Sequence, residues 1–224
     1  MYEYYNELKN SSLLRNMSRQ EAETCFKSFR KRMQEYKRGE IIFCQGAALT
    51  EVGIILSGIV SICKADINGR DIVLYDLTTG MIFGEFFATG EKMLAKLQAV
   101  ARTKSRILYI NADQFFDSNF NPACYAARKK MLDNIPKILF AKLLKLSYRV
   151  AHLLQGSVRG KILSFLNEEY DIVRTFNQKD KLNKTNMAAF LNVDRASLSK
   201  ELALMQKEGL IIYDRHKIIL KERK

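Results

Sequence analysis

From Tyr36 to Ile110 the apolar residues come in short runs, and turn residues stand between them. The runs are Ile41–Phe43, Val52–Leu56, Ile59–Cys63, Asp71–Leu77, Leu97–Ala101 and Arg106–Ile110, punctuated by Gly39, Gly46, Gly58, Gly69, Gly80 and Gly84. Runs rich in β-branched residues and bounded by turn residues read as strands, and several at such short spacing indicate a barrel or sandwich. Asn68-Gly69 is a strong hairpin-turn signal. An antiparallel β-roll is the expectation for this stretch.

The flanks are helical in pattern. Ser18-Arg19-Gln20-Glu21 is a capping box, and it predicts a helix running to about Arg32. After the roll, Asp133-Asn134 followed by Pro136 predicts the end of one short helix and the start of another, because proline fits the first turn of a helix but not its interior. Beyond it Leu139, Leu143, Leu146, Val150 and Leu153 repeat as a heptad seam, while Lys137, Lys142, Lys145 and Arg149 keep the remaining positions polar. About 20 residues at ~1.5 Å each give a helix of roughly 30 Å. Such a stripe serves either to lay the helix on its own β-roll or to zip two chains together, and the two-fold dimer seam is the favoured reading.

Leu182 to Leu220 read as a helix, a tight turn, a second helix and a short hairpin. Met187, Ala188 and Leu191 are apolar at helical spacing, and Leu198, Leu202 and Met205 share a face of the second helix. Asp194 is a good N-cap for that helix, and Asn192 stands where the turn needs a left-handed residue. Small Ala188 lets the two helices approach closely. Two helices joined in this way form the helix-turn-helix of DNA-binding proteins, although an ordinary αα-hairpin has the same outline.

Charge supports a polyanionic partner. The formal net charge is +13, and it is unevenly spread: residues 1–122 hold 16 Lys+Arg against 14 Asp+Glu, residues 123–155 hold 7 against 1, and residues 156–224 hold 14 against 9. No apolar run approaches the ~18–20 residues of a membrane span, and the N-terminal MYEYYNELKNSS does not read as a signal peptide, so a cytoplasmic protein is expected. Cys25, Cys44, Cys63 and Cys124 are scattered without a C-x-x-C pair and read as small hydrophobes in a reducing compartment. With two histidines in the chain, a zinc site is not expected, and His216 reads as a solvated loop residue.

The order of β-roll, seam helix and winged helix-turn-helix resembles the Crp/Fnr family of bacterial transcription regulators. So do particular residues: Lys37–Phe43 followed by Gln45-Gly46, the turn glycines Gly58, Gly69 and Gly80, Gly84-Glu85, and Arg195–Leu202 as a recognition helix. The resemblance covers roughly Leu13 to Leu220. It implies an α+β chain with a β-roll sensor domain and N-terminal helices at 1–121, a dimerisation helix region at 122–155, and a winged helix-turn-helix at 156–224. The implied protein is a homodimer on a two-fold symmetric site in double-stranded DNA, with RNA polymerase as a further partner. Residues matching Arg195, Ser199 and Lys200 reach base edges in the family. Arg195 then offers two donors to a guanine, a contact worth ~1–3 kcal/mol of discrimination. Lys200 stands where the best-known members have Arg, and Ala196 where they have Glu, so the target sequence is expected to differ. Lys184, Thr185, Ser197, Arg215 and Lys217 are assigned to phosphates, which position the domain without reading sequence.

Gly84 and Glu85 match the opening of the family's effector cassette. Cyclic-nucleotide-binding members use that Glu for the ribose hydroxyl and an Arg-Ser pair about ten residues later for the phosphate. Here Ala95-Lys96 stands at that place, and Lys92 or Lys96 supplies charge without the bidentate clamp. The residues thus argue against cyclic-nucleotide binding, and the effector, if there is one, is unidentified. The cysteine-free residues 1–24 do not match the iron–sulfur members, and His152 gives no support for haem. No cofactor is expected. A signalling module of the cyclic-nucleotide type acting on a protein partner is the alternative, and the basic residues of the second helix and wing argue against it. An enzyme is not expected, for the chain has no Gly-rich phosphate loop and no G-x-S-x-G; Glu168-Glu169 reads as a solvated helix end.

Overall fold

The computed structural model describes residues 5–65, 71–85, 94–175, 184–213 and 218–221. It divides into two compact units, Met1–Lys142 and Leu143–Lys224. In the first, helices α1 (Tyr5–Leu8) and α2 (Arg19–Ser28) precede eight strands: β1 (Lys31–Tyr36), β2 (Ile41–Phe43), β3 (Glu51–Ser57), β4 (Val60–Ala65), β5 (Asp71–Leu77), β6 (Ile82–Phe83), β7 (Gln98–Ala101) and β8 (Ser105–Asn111). They form two four-stranded antiparallel sheets, ordered β1-β8-β3-β6 and β2-β7-β4-β5. The expected β-roll is present. β4 and β5 pair antiparallel from Val60↔Leu77 to Ala65↔Asp71, and the hairpin turn expected at Asn68-Gly69 lies outside the described residues.

β3 shows why the sequence reads as an unbroken apolar run. Val52, Ile54 and Leu56 face a core that includes Leu13, Phe26, Phe29, Phe115 and Met131, whereas Ile55 on the alternate face enters the core between the sheets with Val60, Ile62, Phe83 and Ile107. Side chains alternate across a strand, so a strand covered on both faces is apolar at every position. β8 behaves likewise, with Leu108 and Ile110 toward the helices and Ile107 and Tyr109 toward the roll interior.

Two helix boundaries differ from expectation. The capping box at Ser18 forms in both directions, but α2 stops at Ser28, and Lys31–Tyr36 is a strand paired with β8. Its five leading residues are exposed, so no apolar alternation marked it. The break expected near Pro136 does not occur either: α3 runs unbroken through Tyr125–Leu153 with Pro136 inside it. A proline there forfeits one helical hydrogen bond. Tertiary contacts offset the loss, since Met131, Ile135 and Ile138 are buried on one side, and the Asn134 amide donates to the carbonyls of Leu13 (3.1 Å) and Arg15 (2.9 Å).

The second unit takes over the end of α3 and adds α4 (Val158–Thr175), α5 (Lys184–Leu191), α6 (Arg195–Lys207) and the hairpin strands β9 (Ile211–Tyr213) and β10 (Ile218–Leu220). Its core joins Ile162, Phe165 and Leu166 of α4 to Met187, Ala188 and Leu191 of α5, and to Leu198, Leu202 and Met205 of α6. Arg159 of α4 clamps this assembly from outside, donating to both carboxylate oxygens of Glu208 at 2.8 Å and to Glu201 at 2.6 Å. Among the described residues, no helix is long and apolar enough to cross a membrane.

Candidate nucleic-acid interface and effector pocket

The turn between α5 and α6 is built by three residues in succession. Asn192 adopts φ +48, the left-handed conformation expected of it. Its N–H donates to the carbonyl of Ala189 (3.4 Å), and the N–H of Val193 donates to that of Ala188 (3.0 Å), which is the Schellman pattern that ends a helix. Asp194 then caps α6, accepting from the N–H groups of Ala196 (3.0 Å) and Ser197 (2.7 Å). These bonds, the Ser197 hydroxyl's foremost, hold the Asp194 carboxyl below the usual carboxylate range. Two caps separated by one residue fix the chain direction sharply.

With Leu198, Leu202 and Met205 fully buried, α6 turns Arg195, Ala196, Ser197 and Lys200 outward, and Ser199 is half-buried on the flank. Thr185 at the start of α5 is exposed and Lys184 half-buried, whereas Arg215, Lys217 and His216 lie outside the described residues. Ala203 and Lys207 are also exposed. They continue the row Ala196, Lys200 at helical spacing, a signal in the sequence that singled out only the start of the helix.

α3 carries two apolar rows. Met131, Ile135 and Ile138 are buried in the first unit, and Leu139 packs partly buried against the same core. The exposed row is Phe140 (60% exposed), Leu143, Leu144, Tyr148 and Val150, with Leu154 (78%) just past the helix end. Of the seam residues, Leu143 and Val150 are exposed, and Leu146 and Leu153 are half-buried. His152 sits inside the second unit, bonded through Nδ1 to the Ser164 hydroxyl (2.9 Å) and ringed by Phe165 and Phe190. Burial lowers its pKa.

In the roll, Gly84 has φ +75, and a side chain there would meet the Glu51 carbonyl at 2.6 Å, so only glycine lets β6 leave β3 this closely. The following Glu85 is buried. Lys96 is exposed, and the cation beside Glu85 is instead Lys142 of α3. Its ammonium donates to Glu85 Oε1 (2.5 Å) and to the Ile82 carbonyl (2.8 Å), and lies 5.8 Å from the centre of the Tyr75 ring. Burial first, then the Glu85 charge, pushes the Tyr75 phenol upward. Lys142 was expected on the polar surface of α3, and it is buried. The signal for this was present: Met131, Ile135, Ile138 and Lys142 recur at core-facing helical spacing, so the lysine stands in an apolar row. Among the described residues no cluster of three His, Cys, Asp or Glu side chains is arranged to hold a metal ion.

Residues 33–118 match the family model of the cyclic nucleotide-binding domain. No curated protein matches the chain by sequence. The fold is that of solved CRP/FNR-type transcription regulators. It resembles the c-di-GMP responsive global regulator CLP of Xanthomonas campestris, with 18% identity over 92% of this chain and 100% of that one and a TM-score of 0.64. It is similar to FixK2 of Bradyrhizobium japonicum at 14% identity over 87% and 94% of the two chains, with a TM-score of 0.60. It is also similar to the CRP-family transcriptional regulator TTHB099 of Thermus thermophilus, with 20% identity over 84% and 92% and a TM-score of 0.54. The chain thus carries a cyclic nucleotide-binding domain followed by helices in a CRP-like fold, and its structural neighbours are regulators.

Proposed function

We propose that this chain is a sequence-specific transcription regulator of the CRP/FNR type, cytoplasmic and homodimeric, with its β-roll as the sensing domain. The double-capped turn before an outward-facing basic helix carries this reading: Asn192 and Asp194 hold α6 so that Arg195 and Lys200 project from its N-terminal half. That is the end a recognition helix presents to the major groove. Arg195, Ser199 and Lys200 read base edges, while Lys184, Thr185, Ser197, Arg215 and Lys217 contact phosphates. The exposed apolar row of α3 is the surface on which a second copy packs, placing two recognition helices about one duplex turn (~34 Å) apart on a symmetric site.

The experiment is a gel-shift titration, at two salt concentrations, on duplexes retained by the protein from a random pool. Arg195→Ala costs ~1–3 kcal/mol on the retained sequence and far less on random DNA. Lys217→Ala weakens both alike, and its effect shrinks as salt rises. Equal losses for both variants on both DNAs, or no retained duplex at low salt, would refute the reading and leave a protein-directed signalling module in its place.

A further inference from the structure

We infer that Lys142 is a built-in occupant of the roll's ligand-binding carboxylate, so that the roll is held in one state without a cyclic nucleotide. The side chains of Lys142 and Glu85 are 10% and 8% exposed. A charge so buried is tolerated only when paired and hydrogen-bonded, and these two satisfy one another. A ligand hydroxyl seeking Glu85 would have to replace a charge-assisted bond by a neutral one. It would also leave an ammonium buried with, among the described residues, the Ile82 carbonyl and the face of Tyr75 for company. Both steps are uphill. The buried carboxylate of Glu85, which the family resemblance assigns to a ribose, is therefore already taken by a residue of the same chain.

The position of Lys142 gives the pair a second consequence. It ends the buried row of α3, and the exposed row starts beside it at Phe140 and Leu143. The ion pair thus pins α3 to β6 and its following turn at the point where the free apolar face begins. It is intramolecular, and its effective concentration does not depend on any metabolite.

The regulatory part, DNA binding that ignores cyclic nucleotides, rests on the function proposed above; the pairing itself does not. The test uses the full chain. Calorimetry with cyclic AMP and cyclic GMP is expected to show no binding to the unaltered protein. In Lys142→Met, amide exchange over residues 82–85 and 138–142 accelerates at least about tenfold, with exchange in β4 and β5 unchanged, while Lys142→Arg keeps the slow rates. Should Lys142→Met fail to fold because Glu85 is stranded, the double variant E85Q/K142M, with both charges removed, is read at the same segments and is expected to show the same acceleration. Affinity for the retained duplex stays within about twofold when either nucleotide is added. Tight nucleotide binding by the unaltered protein, or unchanged exchange in the folded variants, overturns the inference. A protein that retains no duplex but meets the calorimetric and exchange expectations refutes the DNA-binding reading and leaves the pairing intact.

Discussion

Asn192 shows how much a single residue contributes here. Its φ of +48 lies where a β-branched side chain clashes with its own backbone, and asparagine tolerates it. Asn192→Val is expected to destabilise the second unit by about 1–2 kcal/mol, whereas Asn192→Gly is close to neutral; urea unfolding midpoints of the two variants test this. A valine variant as stable as the original would mean that the turn relaxes to another conformation. The buried cysteines are the opposite case, residues whose chemistry the fold suppresses. Burial pushes the Cys25 thiol up to about 12 and the Cys63 thiol up to about 11, so both remain protonated hydrophobes at neutral pH. Only Cys44 is exposed among the four.

At the scale of the element, α3 is the telling case. One face satisfies the first unit's core, while Phe140, Leu143, Leu144, Tyr148 and Val150, with Leu154 just past the helix end, are exposed among the described residues. Apolar rows of this length on a helix are normally buried, and a second copy covers this one in the proposed homodimer. Val150→Glu, on the exposed face, puts like charges opposite each other across that seam. It is expected to convert the dimer to monomer by at least about a hundredfold in dissociation constant, with the melting of the roll unchanged. Sedimentation equilibrium measures this, and an unaltered association state for Val150→Glu would remove α3 from the interface. The unbroken passage through Pro136 belongs to the same scale. Local preference says stop there, and the packing of Met131, Ile135 and Ile138 on either side overrides it.

For the molecule as a whole, pH is the global variable that the buried groups make legible. His152 is bonded to Ser164 and packed against two aromatic rings, and burial lowers its pKa below 6.5. The folded protein therefore keeps it neutral, while the unfolded chain takes up a proton near pH 6.5. Its contribution to stability is complete above that value and declines as pH falls through 6.5 toward the lower folded pKa. Unfolding free energies between about pH 7 and 5 should fall less steeply for His152→Gln than for the original protein. Parallel curves would show that His152 does not take part.

Most of the architecture is legible in the sequence. Short continuous apolar runs between turn residues, a Ser-x-x-Glu box, an αL asparagine and an aspartate N-cap are local signals, each governed by the backbone and its immediate neighbours. The roll, α5, α6 and the hairpin follow from them. Tertiary structure alone decided three things. Lys31–Tyr36 is a strand because β8 offers it a hydrogen-bonded edge; its own exposed side chains carry no such pattern. α3 passes its proline because the core holds both sides. Lys142 faces Glu85 across 57 residues of chain. A lysine in an apolar row is visible in one dimension, but the partner that makes its burial affordable is brought near only by the fold, since charge pairing depends on distance in space.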